Sequence, residues 1–199
     1  MITDINQLDF EKRYTYADYL TWQFDEMVEL IRGKVFRMSP APNLSHQETS
    51  ANLHGLIWNY LREKPCKVYS APFDVRLPLP AQQQTADKIN TVVQPDISII
   101  CDHSKLDKQG CSGAPDWIIE ILSPATGKKD LNEKFDIYQH AGVREYWIVH
   151  PNDATVIPYH LDTNGQYQLI RNTPFSKEEN IPVGIFPDLT IELNELFTF

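Results

Sequence analysis

Two carboxylates stand inside strongly apolar runs of this sequence, Asp96 in QPDISII (Gln94 to Ile100) and Glu120 in DWIIEILS (Asp116 to Ser123). A strand interior is a costly place for a charged carboxylate unless a cation or hydrogen-bond donors compensate. Two such acids in one small domain point to a shared cation. If their strands are neighbours, the carboxylates converge and suit a hard divalent ion such as Mg²⁺, which binds through one or two carboxylates and phosphate oxygens. An ion placed there activates water and neutralises charge on a phosphodiester. Lys134, one helix later, can reach the same edge and orient the nucleophile or stabilise developing negative charge. Glu29, in the apolar run VELI, is the fourth candidate.

Each residue also has a simpler reading. An aspartate after Pro95 is commonly a turn or capping residue. Glu120 resists that reading, because WIIEIL surrounds it with apolar neighbours. Lys134 alone reads as a solvated helix lysine and Glu29 as an edge-strand charge. His46, placed before a long helix, either caps it or lines the cleft. His54, His103, His140, His150 and His160 show no zinc-motif spacing.

The elements that must position these residues follow an α/β order without repeats. Thr15 caps a short helix through Tyr16, Tyr19 and Leu20, and VELIRGKVFRMS alternates around Arg32-Gly33 as a hairpin does. Pro40 and Pro42 end that unit. From Ser45 to Lys64 the spacing of Leu53, Leu56, Ile57, Tyr60 and Leu61 predicts one face of a helix, stopped by Pro65. CKVYSA and FDVRLPL read as short strands. AQQQTADKIN reads as a surface loop, long enough for a mobile flap. VVQPDISIICD and DWIIEILS read as central strands, with HSKLDKQGCSGA an exposed connection between them. The run from Lys128 to His140 places Leu131, Phe135 and Tyr138 on one helical face, ended by Gly142, and the strand REYWIVHP follows. A strand, helix, strand succession of this kind packs its helix on the sheet. TVIPYHL, YQLI and IPVGIFPDLTIEL add short strands, with a turn of helix at Leu193 to Phe197.

Composition bounds the function. With 199 residues, 42% hydrophobic and 11% aromatic, the expectation is one folded domain spanning 1–199. No apolar run is long enough to span a bilayer, and the N-terminus lacks signal-peptide features, so a cytoplasmic location is expected. Cys66, Cys101 and Cys111 form no CxxC pair, which predicts reduced thiols and no structural zinc. The net charge of −9 counts against a broad phosphate-neutralising surface. It leaves room for a local one, because a bound metal reverses the potential near a cluster of acids.

In the order VELIRGKVFRMSPAPNLSHQ, QPDISI, DWIIEILSPAT, then D-x-x-x-K-x-x-x-Y with AGVREYWIVHP, the sequence resembles the Uma-type family of bacterial restriction endonuclease-like proteins, which carry the PD-(D/E)XK nuclease fold. The similarity spans about Tyr14 to Pro151, and residues 152–199 fit more loosely. It implies a mixed central sheet flanked by helices, an α+β architecture, and Mg²⁺- or Mn²⁺-dependent phosphodiester hydrolysis at the sheet edge. Asp96 matches the family's first acidic ligand and Glu120 the second, while Glu29 matches an acidic position of the N-terminal unit. Leu122 departs from the pattern, since the simplest form of the motif has lysine there. Lys134 is the position that fits a lysine moved to the following helix. His150 stands where relatives carry an acid before the proline.

The expectation is therefore a metal-dependent DNA endonuclease. Asp96, Glu120, the Ile121 carbonyl and Glu29 would hold Mg²⁺ or Mn²⁺, and Lys134 would position the attacking water. DNA is the expected substrate, and a homodimer would supply one site for each strand. The acidic charge and Leu122 motivate an alternative, a nuclease-fold binding protein without turnover. A metal-independent hydrolase using Asp96 and Glu120 as acid and base is a third reading, and it would survive EDTA.

Overall fold

The computed structural model describes residues 2–38, 43–79, 85–123 and 129–198, with the backbone alone at 129–131. Pro40, Pro42, the AQQQ part of the expected flap and the Leu131 side chain lie outside the described residues.

The N-terminal elements follow from local chemistry. Helix α1 (Tyr16–Tyr19) starts at a capping box in which Thr15 and Asp18 satisfy each other's backbone amides. Strands β1 (Val28–Ile31) and β2 (Lys34–Arg37) form the expected hairpin, and its turn residues Arg32 and Gly33 both have positive φ, 50° and 81°. That pair of angles matches the right-handed twist of the flanking strands. Helix α2 (Leu44–Leu61) starts one residue earlier than the sequence suggests. Its cap is Asn43, whose side chain accepts from the His46 amide at 2.9 Å.

Strands β3 (Lys67–Ser70), β4 (Val75–Arg76), β5 (Val92–Val93) and β6 (Ile97–Ile100) follow, then β7 (Leu106–Asp107), β8 (Gly110–Ser112) and β9 (Trp117–Ile121). Helix α3 (Lys129–Ala141) leads to β10 (Glu145–His150) and β11 (Thr155–Leu161). The C-terminal part holds β12 (Tyr167–Leu169), β13 (Phe175–Ser176), β14 (Asn180–Pro182), β15 (Thr190–Glu192) and α4 (Leu193–Leu196). A seven-stranded mixed sheet runs β12-β11-β10-β9-β6-β3, with β13 beside β11 and a parallel β9/β10 pair. A second sheet runs β2-β1-β5-β4-β8-β7, and β14 pairs with β15. No helix among the described residues is long and apolar enough to cross a membrane.

Three sequence expectations are corrected. VVQPDISII is two strands in two sheets, because Pro95 lacks an N–H and the chain changes sheets at Gln94-Pro95-Asp96. HSKLDKQGCSGA contains β7 and β8, with Cys111 buried. Gly110 permits this at φ 123°, where any Cβ would lie 2.2 Å from the Asp74 carbonyl oxygen. Cys66 and Cys101 form a disulfide, one position beyond the Lys67↔Ile100 pair that joins β3 to β6. Cys111 is the odd thiol, pushed up to about 11 by burial. Part of the expected flap is also anchored: Ile89 is buried in the N-terminal apolar cluster, and its carbonyl accepts from Tyr16 at 2.7 Å.

Side-chain alternation along β9 sorts the core. Trp117, Ile119 and Ile121 join α2 through Leu53, Ile57 and Leu61, together with Ile181, Ile191, Leu193, Leu196 and Phe197 of the C-terminal part. Ile118 turns to the opposite cluster with Ile137 and Tyr138 of α3 and Tyr146 and Ile148 of β10. Glu120 has the parity of that second face, so the fold carries it under α3.

The C-terminal strands are also tied by an exposed clamp. Arg171 donates to both Glu179 oxygens at 2.6 and 2.7 Å, and Ser176 adds its amide at 2.8 Å. The guanidinium holds Glu179 down at about 2, below its ordinary 4.5. A depressed carboxylate contributes stability above its unfolded pKa and loses it as pH falls toward the folded one. Glu179→Gln is thus expected to lower the melting temperature at pH 6, with the difference from wild type shrinking between pH 4.5 and about 2. Thermal melts of both proteins across that window check it.

Candidate active site

The site forms where the two sheets meet. β6 and β9 are antiparallel with Ile97↔Ile119 in register, so the next pair outward sets Asp96 opposite Glu120 on one face. Asp96 Oδ2 accepts from the Ile121 amide at 2.7 Å, fixing the carboxylate against the end of β9. Glu120 is 8% exposed, and its Oε1 accepts from Lys134 Nζ at 3.0 Å and from the Tyr138 hydroxyl at 2.6 Å. Lys134 and Tyr138 stand four residues apart on α3, so a single helix face delivers both donors.

Glu29 arrives from the second sheet. It lies on β1, the neighbour of β5, and its Oε1 accepts from the Gln94 amide at 2.8 Å and meets Lys134 Nζ at 3.0 Å. The strand is interior and Glu29 is 5% exposed, so the edge-charge reading does not hold. Lys134, 7% exposed, bridges one carboxylate from each sheet and is not a solvated lysine. Lys134 thus joins Glu29 to Glu120, and Asp96 lies beside Glu120 against the Ile121 amide. Leu122, where the simplest motif has lysine, packs against the apolar cluster under α3.

Charges in this cluster shift one another. Burial pushes Glu120 up to about 7, Asp96 and Glu29 add to the rise, and Lys134 and Tyr138 oppose it. Burial disfavours the Lys134 ammonium, but Glu120 and Glu29 outweigh it and hold the lysine well above its ordinary value. The lysine stays charged as a result. Gln94 extends the network, donating from Nε2 to Asp74 at 2.8 Å, and burial raises Asp74.

Of its two readings, cap or cleft residue, His46 takes the second: its Nε2 lies 3.3 Å from Asp96 Oδ1, and Asn43 as cap places it in the first helical turn. Two partners escaped sequence reasoning. Tyr138 was assigned to the apolar face of α3, although its spacing from Lys134 links the two. Gln94 acts through its backbone, which no side-chain motif reports.

Asp96, Glu120 and the Ile121 carbonyl are hard oxygen donors, a set that suits Mg²⁺ or Mn²⁺. Among the described residues no three His, Cys, Asp or Glu side chains stand close enough together to hold an ion as they are. Lys134 instead balances the acids, and the Ile121 amide and His46 occupy Asp96. The donor chemistry fits a divalent cation.

The model of the family described as "Uma2: Putative restriction endonuclease" matches residues 16–194. The chain belongs to the Uma2 family. A relative of this Uma2 protein is the uncharacterized protein slr1290 of Synechocystis sp., 23% identical over 171 residues, covering 84% of this chain and 85% of the relative. A crystal structure from Anabaena variabilis, described as a putative nuclease belonging to DUF820, superposes with a TM-score of 0.70 at 19% identity. It covers 93% of this chain and 98% of the Anabaena chain. The nuclease-type α+β fold expected from the sequence is the fold of this Uma2 chain.

Proposed function

We propose that this Uma2 protein is an Mg²⁺- or Mn²⁺-dependent DNA endonuclease. The observation that carries the reading is Lys134, buried and bonded at 3.0 Å to both Glu29 and Glu120, with Asp96 opposite Glu120 across the strand pair. Asp96, Glu120 and the Ile121 carbonyl would hold the ion, with Glu29 completing the acidic cluster. A bound ion supplies a polarised water and neutralises phosphodiester charge. Lys134 orients the nucleophile and stabilises negative charge on the phosphate, and the two glutamates keep its ammonium protonated. Tyr138 fixes Glu120, and the Ile121 amide fixes Asp96. On a chain of net charge −9, the counter-charge for DNA at this site would come from the bound ion together with Lys134. A homodimer would present two such sites to a duplex.

The test is incubation of the protein with duplex DNA and Mg²⁺ or Mn²⁺. Cleavage should be lost with EDTA and with Asp96→Ala, and equal cleavage by wild type and Asp96→Ala overturns the assignment. A second reading, a nuclease-fold binding protein without turnover, draws on the occupied Asp96 oxygens. Calorimetric titration that finds no binding of either ion would favour it.

A further inference from the structure

We propose that the cleft between the C-terminal end of α2 and the edge strand β3 binds a single-stranded flank of the DNA substrate, an inference that rests on the nuclease reading above for its choice of ligand. The cleft has a volume of about 340 Å³, and its lining includes Trp58, Leu61 and Arg62 from α2 and Lys67, Val68 and Tyr69 from β3. β3 ends the seven-stranded sheet, and among the described strands it pairs with β6 alone, so its outer edge forms one wall. The volume is at the small end of ligand pockets and suits an unpaired base rather than a duplex.

The side chains in the cleft name the ligand. Of the four tryptophans Trp58 alone is exposed, at 52%, and the Arg62 guanidinium lies over its ring at 5.3 Å. Single strands are held by such a pairing, the ring stacking a base and the cations taking phosphates. A lysine on an edge strand by itself serves to block strand pairing. That role leaves the exposed ring and the second cation unexplained. The charge is complementary to a phosphate backbone, because no acid lines the cleft and Arg62 and Lys67 have no ion-pair partner among the described residues. Glu63 stays outside the lining, and the neighbouring Lys64 is taken by Asp188 at 2.8 Å. On a chain of net charge −9 this is an uncompensated basic patch.

Both walls of the cleft also reach Asp96. His46, in the first turn of α2, lies 3.3 Å from Asp96 Oδ1, and Ala71, just after β3, donates its amide to the Asp96 carbonyl at 3.1 Å. Between the cleft and Asp96 the walls are tied where His54 Nδ1 and Ser70 Oγ stand 2.6 Å apart. The helix from His46 to Trp58 is about 18 Å long at about 1.5 Å per residue, a distance of about five nucleotide steps at about 3.4 Å each in a B-form strand. A strand held at Asp96 therefore reaches Trp58 within about five nucleotides.

The experiment measures binding of a fluorescein-labelled oligothymidylate to the full chain by anisotropy, in EDTA and at low salt, so that binding is read apart from cleavage. Tryptophan quenching by the unlabelled oligonucleotide and light scattering accompany it. Trp58, Arg62 and Lys67 are all exposed, so substitutions there leave the core intact. Wild type should bind with quenching. Trp58→Ala should weaken binding by about 5- to 100-fold, the effect of losing one base–aromatic stack, and Trp58→Phe should retain most of the affinity. Arg62→Gln combined with Lys67→Gln should flatten the fall of log K with log salt by about 1.4, the share of two phosphates on a single strand. Equal affinity of wild type and Trp58→Ala overturns the inference, as does an unchanged salt slope in the double variant or no binding by wild type. A wild-type dimer that Trp58→Ala dissociates also overturns it and assigns the cleft to a second copy of the chain. Binding through Trp58 by a protein that cuts no DNA with Mg²⁺ or Mn²⁺ sinks the nuclease reading and leaves the strand site standing, so the two fail separately.

Discussion

Lys134→Met is expected to lower cleavage by about 10²–10³-fold, the usual effect of losing one group that stabilises transition-state charge, and to weaken the fold by about 3–5 kcal/mol. Both effects come from one atom. Lys134 Nζ is 3.0 Å from Glu29 and from Glu120, and all three residues are buried. Without it two carboxylates from different sheets face each other with, among the described residues, the Gln94 amide and the Tyr138 hydroxyl as donors. Breaking a buried pair by removing one partner leaves uncompensated charge, which costs more than the pair itself contributes. Adding Glu29→Gln to Lys134→Met removes one of the stranded charges. That double variant should regain much of the stability and none of the cleavage. Urea denaturation and duplex cleavage on the same preparations separate the two roles. Wild-type stability in Lys134→Met would mean the ammonium is not what joins the sheets there, and wild-type cleavage would remove it from the chemistry.

The acids were legible because an apolar run around a carboxylate is visible in one dimension. Asp96 and Glu120 sit in such runs, and their cross-strand pairing follows once β6 and β9 are neighbours. Lys134 was legible only in part. Its burial depends on Glu29 from the second sheet as well as on α3, a contact that periodicity does not encode. The sheet change at Gln94-Pro95-Asp96 was hidden because β5 and β6 are equally apolar, although Pro95 marks the break. Cys66 and Cys101 meet through the register of β3 on β6, which cysteine spacing does not report. His46 reads as either a cap or a cleft residue in the sequence, because the true cap, Asn43, lies ten residues before Leu53, the first apolar position of the helical spacing.

Glu145→Leu is expected to destabilise the fold by about 3–5 kcal/mol while leaving metal titration at Asp96 and Glu120 unchanged. Glu145 is fully buried at the start of β10, on the strand beside Glu120. Its Oε1 accepts from Trp147 Nε1 at 2.7 Å and from the Gly184 amide at 3.1 Å, and its Oε2 from the Ile185 amide at 2.8 Å. The His160 ring lies 3.2 Å away, and it crowds Gly184 so closely that a Cβ there would come within 2.1 Å of His160 Cε1. The carboxylate therefore anchors the turn between β14 and β15 to the large sheet. Leucine would strand three buried donors, each costing about 1–3 kcal/mol and not additive because they share one turn. Glu145→Gln keeps one oxygen but turns an NH₂ toward an N–H donor, so its loss should be smaller. Denaturant midpoints for both variants, with Mn²⁺ titrations alongside, check this. A parallel loss of metal affinity would show that the C-terminal anchor also shapes the site. Burial alone does not separate the two glutamates of these adjacent strands. Glu120 meets a lysine and two other acids, which shift its proton affinity, whereas neutral N–H donors hold both oxygens of Glu145. The character of the partners, charged and mutually competing or neutral and satisfied, distinguishes an acid placed for chemistry from one placed for structure.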